Sequence, residues 1–205
     1  MAEPTIENYY VEERTFPPSA EFVARANVAD RSLWAEAEAD HEAFWARQAR
    51  ELLTWDTDFH TTLEWDLPFA KWFVGGKLNV TTNCLDRHVA AGRGDKVAYY
   101  WEGEPGDTKV ITYADLLTEV GKFANVLKGL GLQKGDRVAI YMPMIPELPV
   151  AMLACARLGV AHSVIFGGFS PDAISDRCND ADARIIITAD AGYRRGAPSA
   201  LKTHV

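Results

Sequence analysis

The sequence predicts an α/β fold, a parallel sheet wound with helices on both faces and preceded by a helical extension, and three observations predict it. Beyond residue 136, short β-rich apolar runs alternate with helical stretches of about 10 to 15 residues, the pattern of βαβ units. Residues 20–52 carry helix caps and helical spacing without strand signals. The charge changes character along the chain: residues 1–66 hold 5 basic and 15 acidic residues, whereas residues 67–205 hold 16 and 14. A compositional boundary therefore falls near residue 66.

Taken in order, Ser19 stands as an N-cap before AEFVARANV, and Asp30 before the run RSLWAEAEADHEAFWARQARELL. In that run Trp34, Ala37, His41, Trp45, Gln48 and Leu52 recur every three or four residues, a stripe that needs a surface to pack on. The extension is expected to dock on the body that follows. Gly75 and Gly76 mark a turn, and Thr81 to Ala91 suits a short helix. VAYYWEG and KVITY flank EPGDT, so residues 97–111 read as a β-hairpin. Thr112 and Asp115 have capping-box spacing, and Leu116, Val120, Phe123, Val126, Leu127 and Leu130 keep one helical face until Gly131 ends it. RVAIYM, AHSVIF and ARIIIT are then strands, separated by the helices PELPVAMLACARLG and SPDAISDRCNDA. Three strands are few for an open sheet, so the chain is expected to be the front part of something larger.

Composition bounds the function. At 48% hydrophobic and 24% charged the chain is an ordinary foldable one. No stretch approaches the roughly 18 apolar residues of a membrane span, and the acidic start MAEPTIENYYVEERTFPP lacks the basic and apolar regions of a signal peptide. The expected location is cytoplasmic, with no membrane partner. A net charge of −8 argues against a nucleic-acid binder. Cys84, Cys155 and Cys178 form no CxxC pair and are expected to be reduced, mostly buried hydrophobes. The five histidines show no metal-ligand spacing. The tryptophans at 34, 45, 55, 65 and 72 lack interleaved basic residues, so they read as docking hydrophobes.

Open α/β sheets bind ligands outside the carboxyl ends of their strands, which singles out two loops. Phe166-Gly167-Gly168-Phe169 follows AHSVIF, with glycines that admit a ligand close to the backbone and a ring on which a base can stack. Ala189 to Gly196 follows ARIIIT and sets Arg194 and Arg195 side by side, a fork of donors suited to a phosphate. Together they describe a handle for an adenine nucleotide, though GG after a strand is often only a tight turn and paired arginines are often solvated. Gly75-Gly76-Lys77 lacks the frame of a phosphate loop, and no G-x-G-x-x-G follows a strand. Asp86-Arg87-His88 fits a structural ion pair better than a catalytic set.

Four runs carry a resemblance: Trp72 to Asn79, Asn83 to His88, the stretch GDRVAIYMPMIPELPVAMLACARLGVAHSVIFGGFS at residues 135–170, and ITADAGYRRG at residues 187–196. From about residue 20 onward the chain resembles the acetyl-coenzyme A synthetases, the AMP-forming acetate–CoA ligases. The resemblance implies an amino-terminal extension over residues 1–84, and over 85–205 the beginning of a doubly wound adenylate-forming domain, incomplete here. It implies acetate, ATP and CoA as substrates with Mg²⁺, adenylation of acetate and then thioester formation. It implies that Phe166, Gly167 and Gly168 border the CoA adenine, and that Arg194, Arg195, Gly196 and Ala197 contact the phosphorylated ribose. Ala197 departs from the family, many of whose members carry a second arginine there. Catalytic residues, the ATP phosphate loop and the Mg²⁺ ligands correspond to no motif in these 205 residues. The chain is thus expected to be inactive alone and to associate with the rest of such an enzyme; a non-catalytic interaction or regulatory module derived from one is the alternative.

Overall fold

The computed structural model describes residues 14–28 and 30–205, so most of the acidic start lies outside the described residues. Packing divides the chain into two units, residues 1–48 and 49–205.

In the first unit Ser19 caps α1 (Ala20–Ala24), its hydroxyl accepting from the Phe22 amide at 3.2 Å. The single long helix expected after Asp30 is instead two, α2 (Ser32–Ala39) and α3 (His41–Leu52), the second running across the boundary between the units. Asp40 makes the break. Its backbone is extended and its carboxylate accepts from the Ala43 amide at 2.9 Å, which caps the next helix at the expense of continuing the last. An ion pair between Arg47 and Glu36 at 2.5 Å ties the two helices. Trp34 and Trp45 of the expected apolar stripe are largely exposed.

The second unit opens with a hairpin that the sequence did not signal, β1 (Thr61–Asp66) and β2 (Phe69–Val74), with Leu63 opposite Trp72. Neither strand alternates between buried and exposed positions, so the two-residue period that betrays a strand is missing. Trp55 packs its ring against Phe59 and Phe73, whereas Trp65 and Trp72 are largely exposed. Gly75, at φ +82°, turns the chain as expected. The short helix expected near Thr81 is present as wide helical turns at Thr82–Asp86 and Val89–Arg93.

The hairpin β3 (Val97–Glu102) and β4 (Thr108–Thr112) leads into α4 (Tyr113–Gly129). Thr112 and Asp115 form the reciprocal capping box, the hydroxyl accepting from the Asp115 amide and the carboxylate from the Thr112 amide, each at 3.1 Å. Gly131, at φ +86°, ends the helix. Leu116, Val120 and Leu127 are buried, but Val126 and Leu130 are exposed, so the buried face is narrower than the spacing suggests. Hydrogen bonds from Thr112 hold the Asp115 carboxyl below the usual carboxylate range. A lowered folded-state pKa gives stability that is complete above the ordinary carboxylate range and lost as pH falls through the folded value. Replacing the capping threonine, Thr112→Ala, should cost about 1 kcal/mol at neutral pH by urea unfolding. Its deficit against the wild type should shrink in acid; a pH-independent deficit would argue that the carboxylate takes no part.

A three-stranded parallel sheet forms the centre, in the order β6 (Ala161–Phe166), β5 (Arg137–Met142), β7 (Ile185–Thr188). The strands that precede the two candidate loops, β6 and β7, are not paired with each other but flank β5. The central strand is buried on both faces: Val138 and Ile140 pack with α4 and with α5 (Glu147–Leu158), while Ala139 and Tyr141 pack with Ile165 and with Ile174 of α6 (Pro171–Asp180). Because both faces are apolar, β5 reads as a continuous hydrophobic run. Cys155 lies in this core and its thiol is pushed up to about 11 by burial. Cys84, contrary to expectation, is exposed.

The segment after β7, expected to be a loop, is a second hairpin, β8 (Ala191–Arg194) and β9 (Ala197–Ala200). Arg195 at φ +56° and Gly196 at φ +77° are its two central residues, the primed turn whose twist matches the strands. Arginine at the first of these positions is not a recognisable turn signal, so the sequence carries no local mark of this hairpin.

Candidate functional site

Met142 and Phe166 end β5 and β6 side by side in the register. Beyond them the chain opens a pocket of about 460 Å³ whose walls include Met142, Pro143, Phe166, Gly167, Tyr193 and Arg194. Phe166 begins a tight turn, closed by a bond from the Phe169 amide to the Phe166 carbonyl at 3.0 Å. Tyr141, wholly buried, pins this turn from below: its hydroxyl lies 3.2 Å from the Gly167 carbonyl, 3.4 Å from that of Phe169 and 3.2 Å from Nδ1 of His204. One phenolic proton serves one carbonyl at a time, and the oxygen can accept from the imidazole.

The β8–β9 hairpin forms the facing wall. Amides of Leu201 and Lys202 donate to the Asp190 carbonyl and close its base. Gly192 allows β8 to lie on the end of β5, since a Cβ there would come within 2.6 Å of the Pro143 ring. The hairpin then carries Arg194 across to the first wall, with its guanidinium 5.3 Å from the Phe166 ring centroid. Gly168 leaves room for it, because a Cβ at Gly168 would overlap both that guanidinium and the Phe166 ring. The aromatic surface continues: Phe169 meets Phe166 edge to face at 6.0 Å and carries Arg177 at 4.4 Å. Phe166 is 60% exposed, an apolar ring left in solvent beside a cation.

The structure therefore brings Phe166, Gly167, Gly168 and Arg194 together from two elements. Arg195, Gly196 and Ala197 form the exposed tip of the hairpin, and Ala197 pairs with Arg194 in the ladder. Sequence reasoning did not find Tyr141, Pro143 or Tyr193, nor Glu104, which reaches the site from the β3–β4 turn. No local signal marks these contacts.

The two glycines predict unequal costs. Gly192→Ala drives a methyl into a rigid proline ring and should destabilise the fold by about 1–3 kcal/mol. Gly168→Ala meets the far end of the Arg194 side chain and the edge of the exposed Phe166 ring, both of which can give way toward solvent, and should cost less, about 0.5–1 kcal/mol. Denaturant melts of both variants check this, and equal losses would contradict the packing described.

The motif Asp86-Arg87-His88 has structural partners. Asp86 pairs with Arg157 at 2.6 Å, and Arg87 donates to the carbonyls of Asn83 at 3.0 Å and Leu52 at 2.8 Å. Burial first and then the Arg93 charge lower the His88 pKa. Among the described residues no group of three or more His, Cys, Asp or Glu side chains converges as a metal site, so these residues offer Mg²⁺ no protein cage of their own. Nor is any helix among them long and apolar enough to cross a membrane.

A parallel sheet with a pocket at its strands' carboxyl ends is the architecture of the open α/β class, in which ligands are bound at that end of the sheet. Residues 86–204 match the family described as AMP-binding enzyme, and residues 30–84 match acetyl-coenzyme A synthetase N-terminus. The chain belongs to the AMP-binding enzyme family. It is 60% identical to an acetyl-coenzyme A synthetase of Streptomyces avermitilis over 100% of this chain and 31% of that protein. Its identity to acetyl-coenzyme A synthetases of Mycolicibacterium smegmatis and Rubrobacter xylanophilus is 61% and 55%, each over 93% of this chain, but over only 20% and 30% of theirs. The chain thus spans under a third of the length of these relatives.

Proposed function

We propose that the chain is the amino-terminal part of an AMP-forming acetate–CoA ligase, with residues 1–84 as its extension and 85–205 as the start of a doubly wound adenylate-forming domain. Such a ligase, cytoplasmic and working on acetate, ATP and CoA with Mg²⁺, runs two displacements. A carboxylate oxygen of acetate attacks the α-phosphorus of ATP and pyrophosphate leaves; the CoA sulfur then attacks the acyl carbon of acetyl-adenylate and AMP leaves. The chain's own share is binding. Phe166 offers its ring to the adenine of CoA, Gly167 and Gly168 let the base approach, and Arg194 directs charged donors at the ribose phosphate. Arg195, Gly196 and Ala197 form the turn beside that phosphate.

The observation that carries this reading is the meeting of Arg194 with Phe166 over Gly168 at the pocket mouth. Its test is whether Arg194→Ala, placed in the intact ligase, abolishes preference for CoA over dephospho-CoA, which lacks only the ribose phosphate. A preserved preference would overturn the assignment.

A further inference from the structure

We propose that Glu104 is a positioning residue that holds the β8–β9 turn, and through it Arg194, against the pocket. Three observations converge on the tip of the β3–β4 hairpin. The Glu104 carboxylate accepts from the Gly196 amide at 2.5 Å, joining residues 92 positions apart. Trp101 of the same hairpin donates its indole N–H to the Met144 carbonyl at 2.8 Å, which anchors the hairpin to the segment leaving β5. Between them Gly103 lies so close to the Trp101 ring that a Cβ there would come within 2.7 Å of it. Two hydrogen bonds thus tie the hairpin to the edge of the pocket although its tip residues remain exposed, and Glu104 contributes to the pocket wall.

The bond has an electrostatic logic. Arg195 and Gly196 both have positive φ, a turn whose amides are not all used by the hairpin ladder, and a carboxylate is the strongest side-chain acceptor for one of them. Arg194 is the last ladder residue before that turn, opposite Ala197. Fixing the Gly196 amide therefore restricts the hinge about which the Arg194 side chain would swing away from Phe166. The reach of Glu104 is the third wall of the site, and it comes from a hairpin that the ligand need not touch.

The consequence for CoA rests on the reading given under Proposed function, so two readouts are taken on the intact ligase. The first is deuterium exchange of the peptide spanning residues 191–200, which reports the turn whatever the ligand. The second is KM for CoA and for dephospho-CoA. Glu104→Ala should speed deuterium exchange in that peptide and raise KM for CoA about three- to tenfold, below the roughly ten- to hundredfold range of a bond to a charged group because the pair is exposed. The rate of acetate-dependent pyrophosphate exchange should be unchanged. Glu104→Gln, which keeps an acceptor oxygen, should recover most of both effects. Unchanged deuterium exchange at residues 191–200 in Glu104→Ala overturns the proposal, as does a fall in KM for CoA in both variants, which would mean that the carboxylate repels the phosphate instead of holding the turn. Arg194→Ala run alongside separates the two readings: if it leaves the CoA preference intact, the CoA assignment fails, and exchange at residues 191–200 alone decides for or against the Glu104 clamp.

Discussion

Purified by itself, the 205-residue chain should show no acetate-dependent exchange of pyrophosphate into ATP above a protein-free blank, a complete loss relative to an intact ligase. Adenylation develops charge on the α-phosphorus and on departing pyrophosphate, and catalysts of such steps hold it with metal ions, cationic side chains and backbone amides aimed at those oxygens. The described residues present no convergent acidic set for a metal. The sequence has no phosphate-loop frame. The arginines in ion pairs among the described residues, Arg25, Arg47, Arg50, Arg137, Arg157 and Arg184, are engaged with carboxylates elsewhere. Arg194 does face a pocket, but one guanidinium beside a phenyl ring is no arrangement for breaking a phosphate bond. Exchange clearly above the blank would show that a triphosphate site exists in this chain and would sink the division of labour proposed for it.

What the sequence disclosed follows from where its signals are local. The run Val138 to Met142 is apolar because β5 is buried on two faces, and a run of that kind between helices is readable without coordinates. The capping box at Thr112 and Asp115 is readable because both partners lie within one helical turn. The FGG turn and the arginine pair were legible as site candidates because a general rule places ligands after parallel strands. The illegible parts are those decided at long range or by competition. Sheet order is one, since apolarity alone does not say that β5 intervenes between β6 and β7. The break at Asp40 is another, where helical spacing continues across a residue whose side chain prefers to cap. The β1–β2 hairpin is half-buried at one end and exposed at the other, so its burial follows the length of the strands and leaves no two-residue trace. Within the site, Tyr141 and Glu104 act through partners 26 and 92 residues away, which no spacing rule reaches.

Arg194→Ala in the intact ligase should raise KM for CoA about ten- to a hundredfold, the equivalent of roughly 1.5–3 kcal/mol for a bond to a charged group. The lower end is the better expectation, because Arg194 is exposed and solvent screens the pair. The location of the residue dictates which step suffers. Arg194 sits on the hairpin wall beside Phe166, a place suited to the adenosine end of CoA, while the reacting sulfur lies at the far end of a long flexible arm. Formation of acetyl-adenylate, measured by pyrophosphate exchange, should therefore be unchanged. Dephospho-CoA isolates the contact: wild type should prefer CoA, and Arg194→Ala should use the two nearly alike, since the group that distinguishes them has lost its partner. Arg195→Ala is the internal control. Its side chain leaves the turn from a position with positive φ and does not line the pocket, so it should cost far less. If the loss of preference followed Arg195 instead, the guanidinium resting on Phe166 would be a surface packing contact, and the phosphate would be read from the tip of the hairpin.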